Sequence, residues 1–267
     1  MIWPSSSLFK CARAMRYENC VIMSDNLKLL HIDVATLFAM SPSNRIERQN
    51  DPDSSPAPRV FFAGCPHGNI VRIRQDIAEA TASRLLTIAA EEPPWSDPFV
   101  LPQCLGKLVD VLSTDQPIAT VGPAIIYELP HHIRYEHSAR IVRGDSAEGA
   151  QMVARFKLDG MPRSLHEAGF VDASHFWEPW VVAIEDREIA AIAFAARLGD
   201  QGAEIGVYTF PKFRARGFAS AVTASWSSLA SLDGRTLFYS TSRSNRSSQR
   251  VAARLGLRMI GASVCVG

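Results

Sequence analysis

Apolar residues recur along this chain with two periods, and the switches between them mark out its elements. Alternation over 59–63 and again over 70–74, on either side of Gly64-Cys65-Pro66-His67-Gly68-Asn69, predicts a β-hairpin. Helical spacing follows. Ile77, Ala80, Leu85, Leu86 and Ile88 predict a helix over 76–90, stopped by Glu91-Glu92-Pro93-Pro94, and Leu105, Leu108, Val109 and Leu112 predict another over 102–112. Residues 26–40 read as an ordered apolar element, with a helix as the candidate. The stretch 41–58 is so polar and proline-rich that it reads as a loop. A strand over 118–129, interrupted at Gly122-Pro123, completes a compact α+β half in which no catalytic motif is legible.

Pro130-His131-His132 marks a junction, and beyond it the predicted order is β-α-α-β-β-β-α-β-α-β. Strands fall at 140–143, 180–184, 189–196, 204–210, 236–240 and 259–266. Asp145 or Ser146 can cap the first helix and Ser164 the second. Strands that follow one another through short turns exclude a doubly wound parallel sheet and give an α+β class. The expected organisation is a doubtful extension over 1–23, a smaller α+β domain of unassigned role over 24–135, and a second domain over 136–267.

Composition adds exclusions. With 267 residues, 47% hydrophobic and 21% charged, the chain can bury the cores of two domains. A net charge of +1 creates no field to recruit nucleic acid or a membrane surface. No apolar run approaches the roughly 20 residues of a membrane span. The first 22 residues carry Lys10, Arg13 and Arg16 without the continuous apolar core of a signal peptide, and Met15 and Met23 are alternative starts. Five cysteines (Cys11, Cys20, Cys65, Cys104, Cys265), odd in number and lacking metal-ligand spacing, point to reduced thiols and a cytoplasmic protein. His131 and His132 face different ways in any regular element and have no third ligand nearby, so they read as linker and no metal is expected.

The chemistry concentrates at 204–219. An apolar strand (Ile205, Val207, Tyr208, Phe210) is stopped by Pro211, then Arg214-Ala215-Arg216-Gly217-Phe218-Ala219 leads into a small-residue helix over 220–230. Strand, basic turn and helix start form a cradle for an anion, because helix N-termini carry unpaired N–H groups and the positive end of the macrodipole. Gly217 allows close approach, and the ligand expected there carries a pyrophosphate. Arg246, Arg250 and Arg254 recur every four residues on one helix face. That face is solvated, holds cofactor phosphates, or contacts RNA; with no aromatic interleaving and a net charge near zero, RNA is the weakest of the three.

The turn resembles the Arg/Gln-x-x-Gly-x-Gly/Ala signature of the GNAT-type N-acetyltransferases, with Arg214, Gly217 and Ala219 in the fixed places. Asn245-Arg246-Ser247-Ser248 through Arg254-Leu255-Gly256-Leu257 is similar to the family's Asn-x-x-Ala/Ser helix ending in Leu-Gly-Phe. The resemblance covers about 137–267. It implies a mixed, mostly antiparallel sheet flanked by helices, with strands 204–210 and 236–240 splayed around the arm of acetyl-CoA. The implied cofactor contacts are Val207, Tyr208, Thr209 and Phe210 on the arm, Arg214, Ala215, Arg216, Gly217, Phe218 and Ala219 on the pyrophosphate, and Asn245 and Ser248 on the other wall.

The implied reaction is direct attack of an amine on the thioester, the acceptor being a small molecule, a peptide N-terminus or a lysine. Glu204 is the candidate general base, with Glu178 and His175 as weaker candidates on the aromatic loop 175–180. Ala252 stands where many relatives carry a tyrosine acid, and Tyr208 and Tyr239 do not replace it by motif. The competing reading is a non-catalytic acyl-CoA-binding or interaction module. The N-terminal half is expected to cover the acceptor side or to form a homodimer contact.

Overall fold

The computed structural model describes residues 25–267. The expectations for 1–23, including Cys11, Cys20 and the alternative starts Met15 and Met23, lie outside the described residues. Helix α1 (25–37) opens the chain, followed by a small pair of strands, β1 (Phe38–Met40) and β2 (Ile46–Gln49). The hairpin β3 (Val60–Cys65) and β4 (Gly68–Ile73) comes next, then α2 (Glu79–Ala90), α3 (Leu105–Ser113) and β5 (Val121–Leu129). The remainder runs β6 (Arg140–Arg143), α4 (Ala147–Asp159), α5 (Arg163–Glu167), β7 (Trp180–Glu185), β8 (Glu188–Leu198) and β9 (Gly202–Thr209). It closes with α6 (Phe218–Trp226), β10 (Thr236–Ser242), α7 (Arg246–Arg254) and β11 (Arg258–Val266).

Three local expectations are corrected. The polar stretch 41–58 contains β2, which pairs with β1 and anchors itself through Ile46, fully buried between polar neighbours. Strand β5 is not interrupted at Gly122-Pro123. Pro123 faces β10 where that strand has ended, and its carbonyl accepts from Arg243 N at 3.1 Å, so its missing N–H has no ladder partner to lose. Ser164 lies inside α5 rather than capping it, and Pro162 precedes that helix. At α4 the cap is Ser146, which accepts from Gly149 N at 3.0 Å, while Asp145 pairs with Arg143.

Nine strands form one sheet in the order β4-β3-β11-β5-β10-β9-β8-β7-β6. Every neighbouring pair is antiparallel except β9 and β10. The two halves of the chain share this sheet, because β5 runs between β10 and β11. Ile125 and Ile126, pointing to opposite faces, are both fully buried, as a strand covered on both sides requires. Phe61 and Phe62 divide the same way. Phe61 packs under α1 with Leu30, Val34, Ile126 and Phe238, and Phe62 packs on the other face with Leu85 and Leu108 of α2 and α3. Each of these rings contributes about 1.5–3 kcal/mol by leaving water. Helix α6 covers β7, β8 and β9 from the α2–α3 side, so the sheet presents two distinct faces at β9 and β10.

Candidate active site

Strands β9 and β10 pair through Thr236–Gly202, Leu237–Ala203 and Phe238–Glu204, and there the ladder stops. Beyond that rung β9 continues along β8 as far as Thr209, and β10 continues along β5 as far as Ser242. Their inner edges therefore diverge, leaving main-chain groups of 205–209 and 239–242 without a strand partner on that side. The cleft that opens has a volume of about 600 Å³ and is lined by Val207, Tyr208 and Thr209, by Tyr239, Ser248 and Val251, and by 213–215 and 217–220 of the turn.

The turn is shaped by two left-handed residues. Ala215 has φ 62° and Gly217 φ 91°, and Gly217 is the N-cap of α6. A Cβ on Gly217 would lie 2.8 Å from the Tyr135 hydroxyl and 3.1 Å from the His137 ring, so the position is closed sterically as well as conformationally. His137 braces the turn from the junction segment. Its Nδ1 accepts from Ala139 N at 2.9 Å, which leaves the proton on Nε2 to donate to Arg216 O at 2.9 Å. The same ring lies on Phe218, with centroids 4.8 Å apart. Nothing in the sequence marked His137, which lies 79 residues from the Arg216 it braces.

The cleft fits a phosphate-bearing thioester cofactor on two observations. Ser220, in the first turn of α6, is fully buried and its Oγ has no partner, although it lines the cleft. The first N–H groups of α6 have no intrahelical acceptors and open onto the same space. Arg214, Arg250 and Arg254 rim it with positive charge, so two of the three arginines spaced along the last helix face the cleft. Among the described residues no cluster of three metal-ligating side chains occurs.

The residues singled out from sequence are brought together unevenly. Val207, Tyr208, Thr209, Arg214, Ala215, Gly217, Phe218, Ala219, Asn245 and Ser248 line the cleft. Asn245 also caps α7, its Oδ1 accepting from Ser248 N at 3.1 Å. Phe210 is turned into the core with its N–H on Ala190 O, and Arg216 reaches away to Glu185, its guanidinium over Phe213 and Phe218. Glu178 is exposed on the loop before β7, and His175 Nδ1 accepts from Val171 N at 3.0 Å. Neither approaches the last β9–β10 rung through any hydrogen bond or ion pair. Their loop does reach the sheet face opposite α6, where Trp177 and Phe170 meet Phe194, and Phe194 lies against Gly206.

Glu204 occupies that last rung and faces the α1 side, as Gly202 does two residues earlier. Burial holds its carboxyl above the ordinary carboxylate range, against the Ser240 hydroxyl and the Arg197 charge, which pull it down. Tyr239 is the first β10 residue past the rung and faces the other way, into the cleft. Its hydroxyl lies 2.6 Å from Ser248 Oγ, and burial pushes the phenol up despite that hydrogen bond. Ala252 is fully buried in the core beneath α7.

Residues 136–258 match the family model of the acetyltransferase (GNAT) domain. No curated protein matches the chain. Among solved structures it is similar to a GNAT-family acetyltransferase of Novosphingobium aromaticivorans, at 19% identity over 56% of this chain and 66% of that one, with a TM-score of 0.38. It is also similar to a tandem GNAT protein from the clavulanic acid biosynthesis pathway (13%, 80% and 79%, TM-score 0.44). A third is a GCN5-related N-acetyltransferase-like protein of Streptococcus suis (17%, 92% and 100%, TM-score 0.39).

Proposed function

We propose that this protein, whose residues 136–258 form a GNAT acetyltransferase domain, moves the acetyl group of acetyl-CoA onto an amine by direct attack. The observation that carries the reading is the pair Glu204 and Tyr239 at the apex of the splay, one on each face of the sheet. The N–H groups at the start of α6, with Arg214, Arg250 and Arg254, would hold the phosphates, and Val207 to Thr209 would bind the arm along the open edge of β9. Acetyl-CoA supplies the activated acyl carbon when bound. Glu204 takes the proton from the attacking amine as the new C–N bond forms, and Tyr239 protonates the sulfur as the C–S bond breaks. Tyr239 thereby takes over the acid role that Ala252 cannot fill.

The two protonation states suit this division. A phenol pushed up by burial stays protonated at neutral pH and can donate, and Glu204, with Arg197 and Ser240 opposing its desolvation, serves as the acceptor. Free thiols at Cys65 and Cys104 and Cys265 support a reducing, cytoplasmic setting, and among the described residues no helix is long and apolar enough to cross a membrane. The acceptor is read as a small amine on the face floored by Phe194, Gly206 and Tyr208. The test is thioester consumption with a panel of amines, comparing the wild type with Glu204→Gln. Turnover that falls at least tenfold in the variant supports the reading. A protein that binds CoA and turns over no amine would be a binding module instead.

A further inference from the structure

Helix α4 is pinned closely to the sheet at its start. A Cβ on Gly149 would collide with Arg143 O of β6, and Gly149 is the single fully buried residue of that helix. Further along, Met152 and Phe156 stay half-buried. They line a cavity of about 500 Å³ together with Ile184 and Ile189 of the β7–β8 hairpin, which are half-buried too, and with Leu165 of α5. An apolar helix face held off an apolar strand pair leaves that surface for something else to cover. The cavity is separate from the cleft. Ile189 lies two residues beyond Ala191, the partner of Thr209 at the cleft mouth, whereas Glu204 sits toward the other end of β9. At ~3.3 Å per residue along a strand, that places it about 20 Å from the Glu204 rung, out of reach for a small amine lodged there.

The charges around this cavity do not cancel. Of its two carboxylates, Glu148 pairs with Arg140 and Glu188 with Lys212 at 2.8 Å. Arg155 and Arg187 also line it and, among the described residues, make no ion pair. Arg187 holds its place at a conformational cost. Asp186 and Arg187 are the central residues of the turn between β7 and β8, with φ 51° and 65°. Positive φ at both places is the pattern of a type I′ turn, whose second place favours glycine. A long cationic side chain kept in a left-handed position, without an ion-pair partner, serves a ligand better than it serves the fold.

We propose that this cavity is a second ligand site, built for a small carboxylate with an apolar body. Arg155 and Arg187 supply the counter-charge, and Met152, Phe156, Leu165, Ile184 and Ile189 cover the body. A small anion without a tail would leave the floor wet, and a neutral tail would leave both arginines unanswered. The volume lies within the range of small-molecule pockets. Nothing in this assignment depends on Glu204 or on acetyl transfer.

Thermal protection by octanoate and by phenylpropionate, with CoA present to occupy the cleft, tests the site. Each carboxylate should raise Tm saturably, by about 3 degrees at a concentration tenfold above its Kd. Octanamide lacks the charge, octylamine inverts it and acetate lacks the tail, so each should give less than about a third of that shift. Arg187→Gly separates binding from folding, because glycine relaxes the turn. Without ligand its Tm should rise by about one to three degrees, and its octanoate shift should fall about fivefold or more. Arg155→Gln should lose the shift as well, with its own Tm unchanged. A lower ligand-free Tm in Arg187→Gly would make the arginine part of the fold and overturn the proposal. So would a full shift from octanamide, a full shift in Arg187→Gly, or no saturable shift from either carboxylate in the wild type.

Discussion

The Tyr239 hydroxyl meets Ser248 Oγ at 2.6 Å, one residue beyond the rung where Phe238 pairs with Glu204. A strand residue and a helix residue thus close the inner end of the cleft with a polar contact. Tyr239→Phe keeps the ring, which also packs edge-on to Tyr127 with centroids 6.4 Å apart, and removes only the proton donor. We expect kcat to fall about 100-fold, within the usual range for losing a general acid, while KM for acetyl-CoA stays within about twofold. An unchanged kcat in steady-state assays would mean that water protonates the leaving sulfur.

Gly217→Val should abolish CoA binding. The residue sits at φ 91°, a conformation costing an L side chain about 1–2 kcal/mol, and its first carbon would already press on Tyr135 and His137. The turn must shift, and the first N–H groups of α6 shift with it. Thermal protection by CoA, measured as a rise in Tm, should disappear in the variant. Protection equal to wild type would refute the turn as the phosphate site.

His137→Ala tests the brace rather than the cradle. It removes the Nε2 bond to Arg216 O and the ring over Phe218, but no group that lines the cleft. One such hydrogen bond is worth about 1 kcal/mol, so Kd for CoA should rise roughly fivefold with kcat unchanged. Calorimetric titration gives the first number and saturating kinetics the second. A fall in kcat without a change in Kd would move His137 into the chemistry.

Burial pushes the Cys104 thiol up to about 12, helped by Glu92, and the Cys265 thiol up to about 11. An ordinary thiol near 8.5 is about one quarter thiolate at pH 8, whereas one near 11 is about one part in a thousand. Alkylation at pH 8, read by mass spectrometry of the peptides, should be at least 100-fold slower at both sites than after unfolding. Raised folded-state values also mean that stability declines as pH climbs above about 8.5, where only the unfolded thiols ionise. Rapid labelling of Cys265 in the native protein would contradict the burial that raises its thiol.

What could be read from the chain was local. Arg214 to Ala219, the order of elements from 140 onward and the helix at 246–254 are set by residues within a turn or two of each other, so periodicity and capping reveal them. The position of β5 between β10 and β11 is a pairing between residues more than 100 apart, and nothing in its Ile-Ile-Tyr run names the partners. The roles of Tyr239 and Glu204 depend on which rung is the last, a matter of register that alternation alone leaves open. On α1, Asp33 is fully buried, and an acid three residues after Leu30 and one before Val34 breaks the pattern of an apolar helix face, which is legible in the sequence.

Residues 136–267 should not fold alone, although they contain every element of the matched domain. Strand β5 pairs with β10 at six positions and with β11 at eight, and it is the only described strand between them. Without it, β10 and β11 present facing unpaired edges, and Leu237, Phe238, Ile260 and Ala262 lose their neighbours Ile125, Ile126 and Leu129. Removing α1 also uncovers Phe238 and Ile260. Expressed by itself, 136–267 should be recovered as aggregate. Co-expression with 25–135 should return soluble protein that CoA protects against heating, because the missing strand and helix can be supplied in trans. A soluble, CoA-binding 136–267 would show instead that β10 and β11 close on each other and that the N-terminal half is an accessory to the sheet.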